Sequence, residues 1–369
     1  MSKENEKLKL AQEETQAAID QTNKMIEKLG EHTSALCSAL NDIQELFDRI
    51  RNMPSEKKIE CDEMKSVRLN WKQQAEKIEQ DYEKAVVKNA GVSAAGIGAG
   101  VAVAALGPTA AMGIATTFGV ASTGTAISAL SGAAATNAAL AWLGGGALVA
   151  GGGGMAAGEA ILALAGPVGW AIAGLSVAAS ACLYLKSQSD KELVEGIFTS
   201  VSKRDVESYK LAIVELSERI SRIDRETEML LQATEQVKIY GTDYNDMTEA
   251  QQYELGSYVN LMKASTQLLV NPVMGLQPKF TKQDIEAFLA NRTATESNAL
   301  DEDQKEIVLM LANFLYKIEM DSRSKKVIYN NFRKNKELFE EMGVDRNRFT
   351  LEIMDVVEDA LSYSYSTSN

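Results

Sequence analysis

The chain has 369 residues, with 38 Lys and Arg against 51 Asp and Glu, giving a formal net charge of -13. That length accommodates two or three domains. The acidic balance argues against a nucleic-acid partner, because phosphate binding needs a basic surface. It also weakens direct attraction to an anionic leaflet, so any membrane affinity has to come from apolar area.

The first segment, residues 1–88, reads as a coiled-coil arm. Its opening, "MSKENEKLKLAQEETQ", is charged and has no apolar h-region. The expectation is cytoplasmic synthesis without a secretory signal peptide. Apolar or small residues then fall at Ile19, Thr22, Ile26, Leu29, Thr33, Leu36, Leu40, Ile43, Phe47 and Ile50. The steps alternate three and four, which is the seam of a heptad repeat. Pro54 breaks the helix, and Ser55 suits the N-cap of the next. That second helix runs to about Lys88 with Met64, Val67, Trp71, Ile78 and Ala85 on one face. The only histidine, His32, falls on the polar flank of the first helix.

Residues 89–185 are different in kind. They carry one charge, Glu159, and 20 of the 26 glycines. The net charge splits as -3 before this block, -1 within it and -9 after it. Ninety-seven residues of this kind fit two or four membrane spans. Breaks are expected at Leu106–Thr109, Ser122–Thr125 and Gly151–Gly154. Only 23 residues of the block are Val, Ile, Leu or Phe, and each favours insertion by only about 0.3–0.6 kcal/mol. Each span is therefore marginal: able to fold in water if covered, and able to insert when uncovered. The competing reading is a set of apolar loops packed in a large core. Small residues four apart, Gly96 with Gly100 and Gly154 with Gly158, allow close helix contact in lipid. Trp142 and Trp170 suit interfacial or packing positions. Glu159 has two readings: a lumen-facing or protonation-sensitive group inside a span, or the cap of a helix starting near Ala160.

Residues 186–241 form a returning arm. Its seam is Val206, Tyr209, Ile213, Leu216, Ile220, Ile223, Leu230 and Val237, interrupted by Thr227 and Thr234. Gly241 ends it. Two or three such helices bury their seams most simply on one another, as a bundle within the chain. Both ends of the block then lie at one end of the bundle, so the number of crossings is even.

Residues 242–369 read as a smaller helical region. Thr248 with Gln251 forms a capping box, Thr281 starts another helix, and Asp301 caps a long one expected to run to Met342. A last helix carries Phe349, Ile353, Val357 and Leu361. The fold class is all-α: a coiled-coil or helical-bundle stalk, a Gly/Ala-rich membrane-inserting block and a C-terminal helical region.

No chemistry of an enzyme is legible. "GIGAG" at 96–100 follows no strand and precedes no acidic residue at ribose distance. No phosphate loop occurs, and Cys37, Cys61 and Cys182 have neither metal nor disulfide spacing. No catalytic residue, cofactor or metal is expected.

A stalk helix, a long Gly/Ala-rich apolar insertion and a returning stalk helix together resemble the α-helical pore-forming toxins of the cytolysin A and tripartite enterotoxin type. The likeness is architectural and covers roughly residues 15–240. It implies an apolar segment hidden in the soluble form that inserts on homo-oligomerisation, with the lipid bilayer as partner. A cytosolic membrane effector of bacterial defence has the same design, gated by a regulatory ligand or partner protein. The alternative is a membrane-anchored coiled-coil adaptor or scaffold without pore activity.

Overall fold

Steps of three and four from Ile19 to Ile50 place ten side chains on one stripe, roughly 46 Å long, and a stripe of that length needs an equally long partner. A computed structural model describes residues 3–93, 108–118, 187–277, 279–291, 300–334, 336, 339 and 344–367. Helix α1 (Lys3–Arg49) carries nine of the ten seam positions and Ile50 follows its end; all ten are buried. Its partner is the 52-residue α4 (Gln188–Ile239). The two run parallel: Leu8 clusters with Val194 and Phe198, His32 Nδ1 meets the Asp224 carboxylate, and Arg51 pairs with Asp243. His32 is thus an inter-helix contact rather than a free surface group.

The register is clipped at the far end. Arg51 N donates to Thr242 O and Tyr244 N donates to Arg51 O, both at 2.9 Å. Asn52, at φ 57°, donates its side-chain amide to the Asp243 carboxylate at 2.9 and 3.0 Å. Asn tolerates that left-handed turn better than a branched residue. Gly241, at φ +85°, ends α4 with the backbone a helix C-terminus favours.

Two helices run back from this clip. Helix α2 (Ser55–Ser93) is antiparallel to α1, with Arg68 donating to Gln44 Oε1 at 2.7 Å. Helix α5 (Glu249–Val270) is antiparallel to α4, and Ser265 Oγ donates to Glu226 Oε2 at 2.7 Å. Its N-terminus carries the Thr248–Gln251 capping box. Polar seam residues are satisfied within their own helices: Thr15, Thr22, Thr33 and Thr234 each donate to the carbonyl four residues back at 2.7–2.9 Å. Among the described residues there is no strand, only the isolated Arg51–Asp243 bridge.

The cores do not divide at residue 242. Helix α5 belongs to the stalk, burying Leu255, Val259 and Met262 there. The C-terminal core begins at Phe280 and recruits Leu8, Val194, Phe198 and Val201 from the N-terminal ends of α1 and α4. It contains α6 (Lys282–Asn291), α7 (Glu302–Leu315), α8 (Ser322–Lys334) and α9 (Leu351–Thr367). The single helix expected from Asp301 to Met342 is two. Lys317 turns at φ 56°, and Asp321 Oδ1 accepts from Ser324 N at 2.7 Å to start α8. Asp321–Ser322 is an N-cap signal embedded in a helical pattern.

Candidate functional site

One described helix lies inside the apolar block: α3 (Pro108–Phe118), which has no charged residue. Proline suits its first position, since the missing N–H there has no intrahelical partner anyway. Helix α3 packs against α1, α2 and the end of α5. Ala110, Ala111, Ile114, Ala115 and Thr117 are buried there.

The seat is set by two glycines. A Cβ added to Gly30 of α1 would lie 1.7 Å from Thr109 O and 2.9 Å from Gly113 N. One added to Gly113 would lie 2.0 Å from Ile26 O. These obstacles are backbone atoms, so the two helices touch main chain to main chain, an approach only glycine permits. Thr117 O accepts from Val273 N at 2.7 Å, which ties the end of α3 to the turn after α5. Thr116 Oγ1 is buried without a hydrogen-bond partner among the described residues. An unsatisfied hydroxyl of that kind costs about 1–3 kcal/mol, so the seat is tight in shape but not optimised in polarity.

Of the residues singled out from sequence, Gly96, Gly100, Trp142, Gly154, Gly158, Glu159 and Trp170 lie outside the described residues, as does Cys182. Ile26, Leu36, Leu40, Ile43, Leu216, Ile220 and Ile223 are buried in the stalk. Ile213 is only half-buried, and Ala212 takes the core position instead. The reason is the turn at Met274–Leu276: a Cβ on Gly275 would sit 3.0 Å from Ala212 Cα, so the seam there has room only for a small residue.

Sequence reasoning missed several polar groups in the core. Arg68 is buried and donates to Gln44 Oε1 and Thr266 Oγ1, the latter at 3.2 Å. Burial lowers its pKa from the usual range. Cys37 and Cys61 are free, buried thiols; burial raises both, Cys61 to about 11, which suppresses thiolate chemistry. At the joint of the two cores, Arg204 donates to Phe314 O and Tyr316 O at 2.9 and 2.7 Å and pairs with Asp205 at 2.7 Å. Burial pushes Asp205 up to about 6 against the pull of Arg204 and Lys279, and Tyr209 is buried beside it.

The sign for Asp205 follows from its raised folded value. The folded state holds the proton more tightly than the unfolded chain, so its contribution to stability is full below about 4 and is lost as pH rises through about 6. The expected amplitude is roughly 3 kcal/mol. Asp205→Asn mimics the protonated form. It should match the parent protein in chemical denaturation near pH 3 and exceed it in stability at pH 7.5. Equal losses at both pH values contradict this assignment.

A surface hollow of about 500 Å³ between α7 and α9 is lined by Asp301, Glu352, Asp355, Asp359 and Arg348. Its groups are partly engaged: Arg348 lies 3.4 Å from Asp301, and Asp355 takes Lys325 at 3.0 Å. Among the described residues no cluster of His, Cys, Asp and Glu is arranged to hold a metal, and no helix is long and apolar enough to cross a membrane. No family model, curated protein or solved structure matches the chain.

Proposed function

We propose that the protein is an oligomerising, membrane-inserting α-helical pore former, acting as a toxin or as a cytosolic effector of bacterial defence. The observation that carries this reading is the run of 97 residues with a single charge at Glu159. A core inside a soluble protein has no need of so long an uncharged run, and its marginal hydrophobicity suits conditional insertion. The seat of α3 supports the same reading, because it stores part of the block on the stalk as a short, uncharged helix whose buried side chains are small apart from one isoleucine.

The direction of the helices supports an even number of crossings. Helix α2 runs back along α1, and α4 starts where α1 starts, so both flanks of the block point toward one end of the stalk. An insertion launched from there returns to the same side, so it crosses an even number of times. Gly154 and Gly158 then serve helix contacts in lipid, and Glu159 faces the lumen or caps a helix at its mouth.

Flotation with liposomes and imaging of detergent-extracted protein test this reading. The pore reading expects the full chain to float with vesicles and to form closed rings in detergent. An anchored adaptor floats but forms no rings, and a soluble protein with an apolar core does neither.

A further inference from the structure

We infer that the turn at residues 271–277 couples the C-terminal helical region to the seat of α3, so that displacement of the C-terminal core loosens the helix. This goes one step beyond the pore reading and rests on it for its biological meaning. The coupling itself is a property of the folded chain.

The connection is continuous. On one side, Asn313 of α7 accepts from Lys279 N and Phe280 N at 2.9 and 3.0 Å and donates to Phe280 O at 2.7 Å. Asn313 and Phe280 are both buried. On the other side, Val273 N donates to Thr117 O of α3. Between them the turn is fixed to α4: Met274 N and Gly275 N donate to the two carboxylate oxygens of Glu215 at 2.8 and 2.9 Å. Arg219 holds the preceding carbonyls of Leu268 and Asn271 at 3.0 and 2.9 Å. Val273 and Leu276 are fully buried, so the turn cannot slide without opening core.

Coupling needs an element with two discrete arrangements that both sites bias. Helix α3 is such an element. The backbones at Gly30 and Gly113 approach so closely that a Cβ on either would overlap main chain, so any separation of the two helices gives up that contact. Loss of the Asn313 clamp frees the chain at Lys279 and Phe280 and leaves the turn that supplies the Val273 hydrogen bond held by Glu215 and Arg219 alone. The C-terminal region is therefore placed to act as the regulator of the apolar block. Any partner or ligand that pulls α7 from Phe280 acts on α3 through this turn.

Hydrogen exchange of the full chain, without membrane, tests the coupling. Asn313→Ala should speed exchange in the peptide covering residues 108–118 on the order of tenfold, with the amides around Leu216 and Leu230 unchanged. Glu215→Ala, at a partly exposed position, should act in the same direction and remains informative if the Asn313 variant fails to fold. Faster exchange at residues 273–277 with α3 as protected as in the parent protein overturns the inference. So does faster exchange spread evenly over the stalk. Because no lipid is present, such a failure removes the coupling and leaves the pore reading to be judged by permeability alone.

Discussion

Replacing Gly30 by leucine should unseat α3 while leaving the stalk helical. A Cβ at that position would lie 1.7 Å from a main-chain oxygen of α3 and 2.7 Å from its carbonyl carbon, and no rotamer relieves a clash at Cβ. One of the two helices has to move. Helix α1 is held along its length by α4, whereas α3 is an 11-residue helix with one buried isoleucine and no charge. The short helix yields. Glycine inside a helix costs about 1 kcal/mol relative to alanine, so leaving Gly30 should not weaken α1 itself. The expected signature is therefore a far-UV circular dichroism spectrum close to that of the parent protein, with protease and hydrogen-exchange protection lost at residues 108–118. Gly196→Ala is the control: nothing lies within 4 Å of a Cβ there, and a neutral or slightly stabilising effect is expected. Unchanged protection of α3 in Gly30→Leu contradicts the seat as described.

That contact also shows where sequence reading stops. The burial of the α1 stripe was legible because its nine steps of three and four leave one solution, and every member is buried. The cap at Thr248 and the stop at Gly241 were legible for a similar reason, since each depends on residues within one helical turn. The direction of α4 was not, because heptad spacing reads the same in parallel and antiparallel pairs. It is fixed instead by the clip between Arg51–Asn52 and Thr242–Tyr244, nearly two hundred positions apart in the chain.

The partner of Gly113 was hidden for another reason. It is one of 20 glycines in its block, and nothing local marks it. Gly30 did carry a signal: a lone glycine inside a strong helical pattern is costly and usually has a packing reason. Ile213 was misplaced because the heptad rule describes a helix pair. At that level a third element, the turn at Gly275, presses on Ala212 and shifts the seam by one residue. Buried Arg68 and Glu226 carried no local signal for the same cause. Their partners, Gln44, Thr266 and Ser265, belong to helices whose packing no local pattern announces.

The position of α3 changes how the apolar block has to be removed in an experiment. Its side chains complete the stalk core beside Ile26 and Leu29, so a deletion reaching back to residue 91 would damage the stalk as well as the block. Replacing residues 119–184 with a flexible Gly/Ser linker keeps α3 in place and removes Glu159 together with 14 of the block's 20 glycines. Release of a self-quenched dye from liposomes, measured for the intact chain and for this replacement under conditions where the intact chain floats with vesicles, tests the central claim most directly. The account predicts leakage from the intact chain and none from the replacement, which should remain folded and helical. An intact chain that binds vesicles and never releases dye, or a replacement that releases it equally well, contradicts the account.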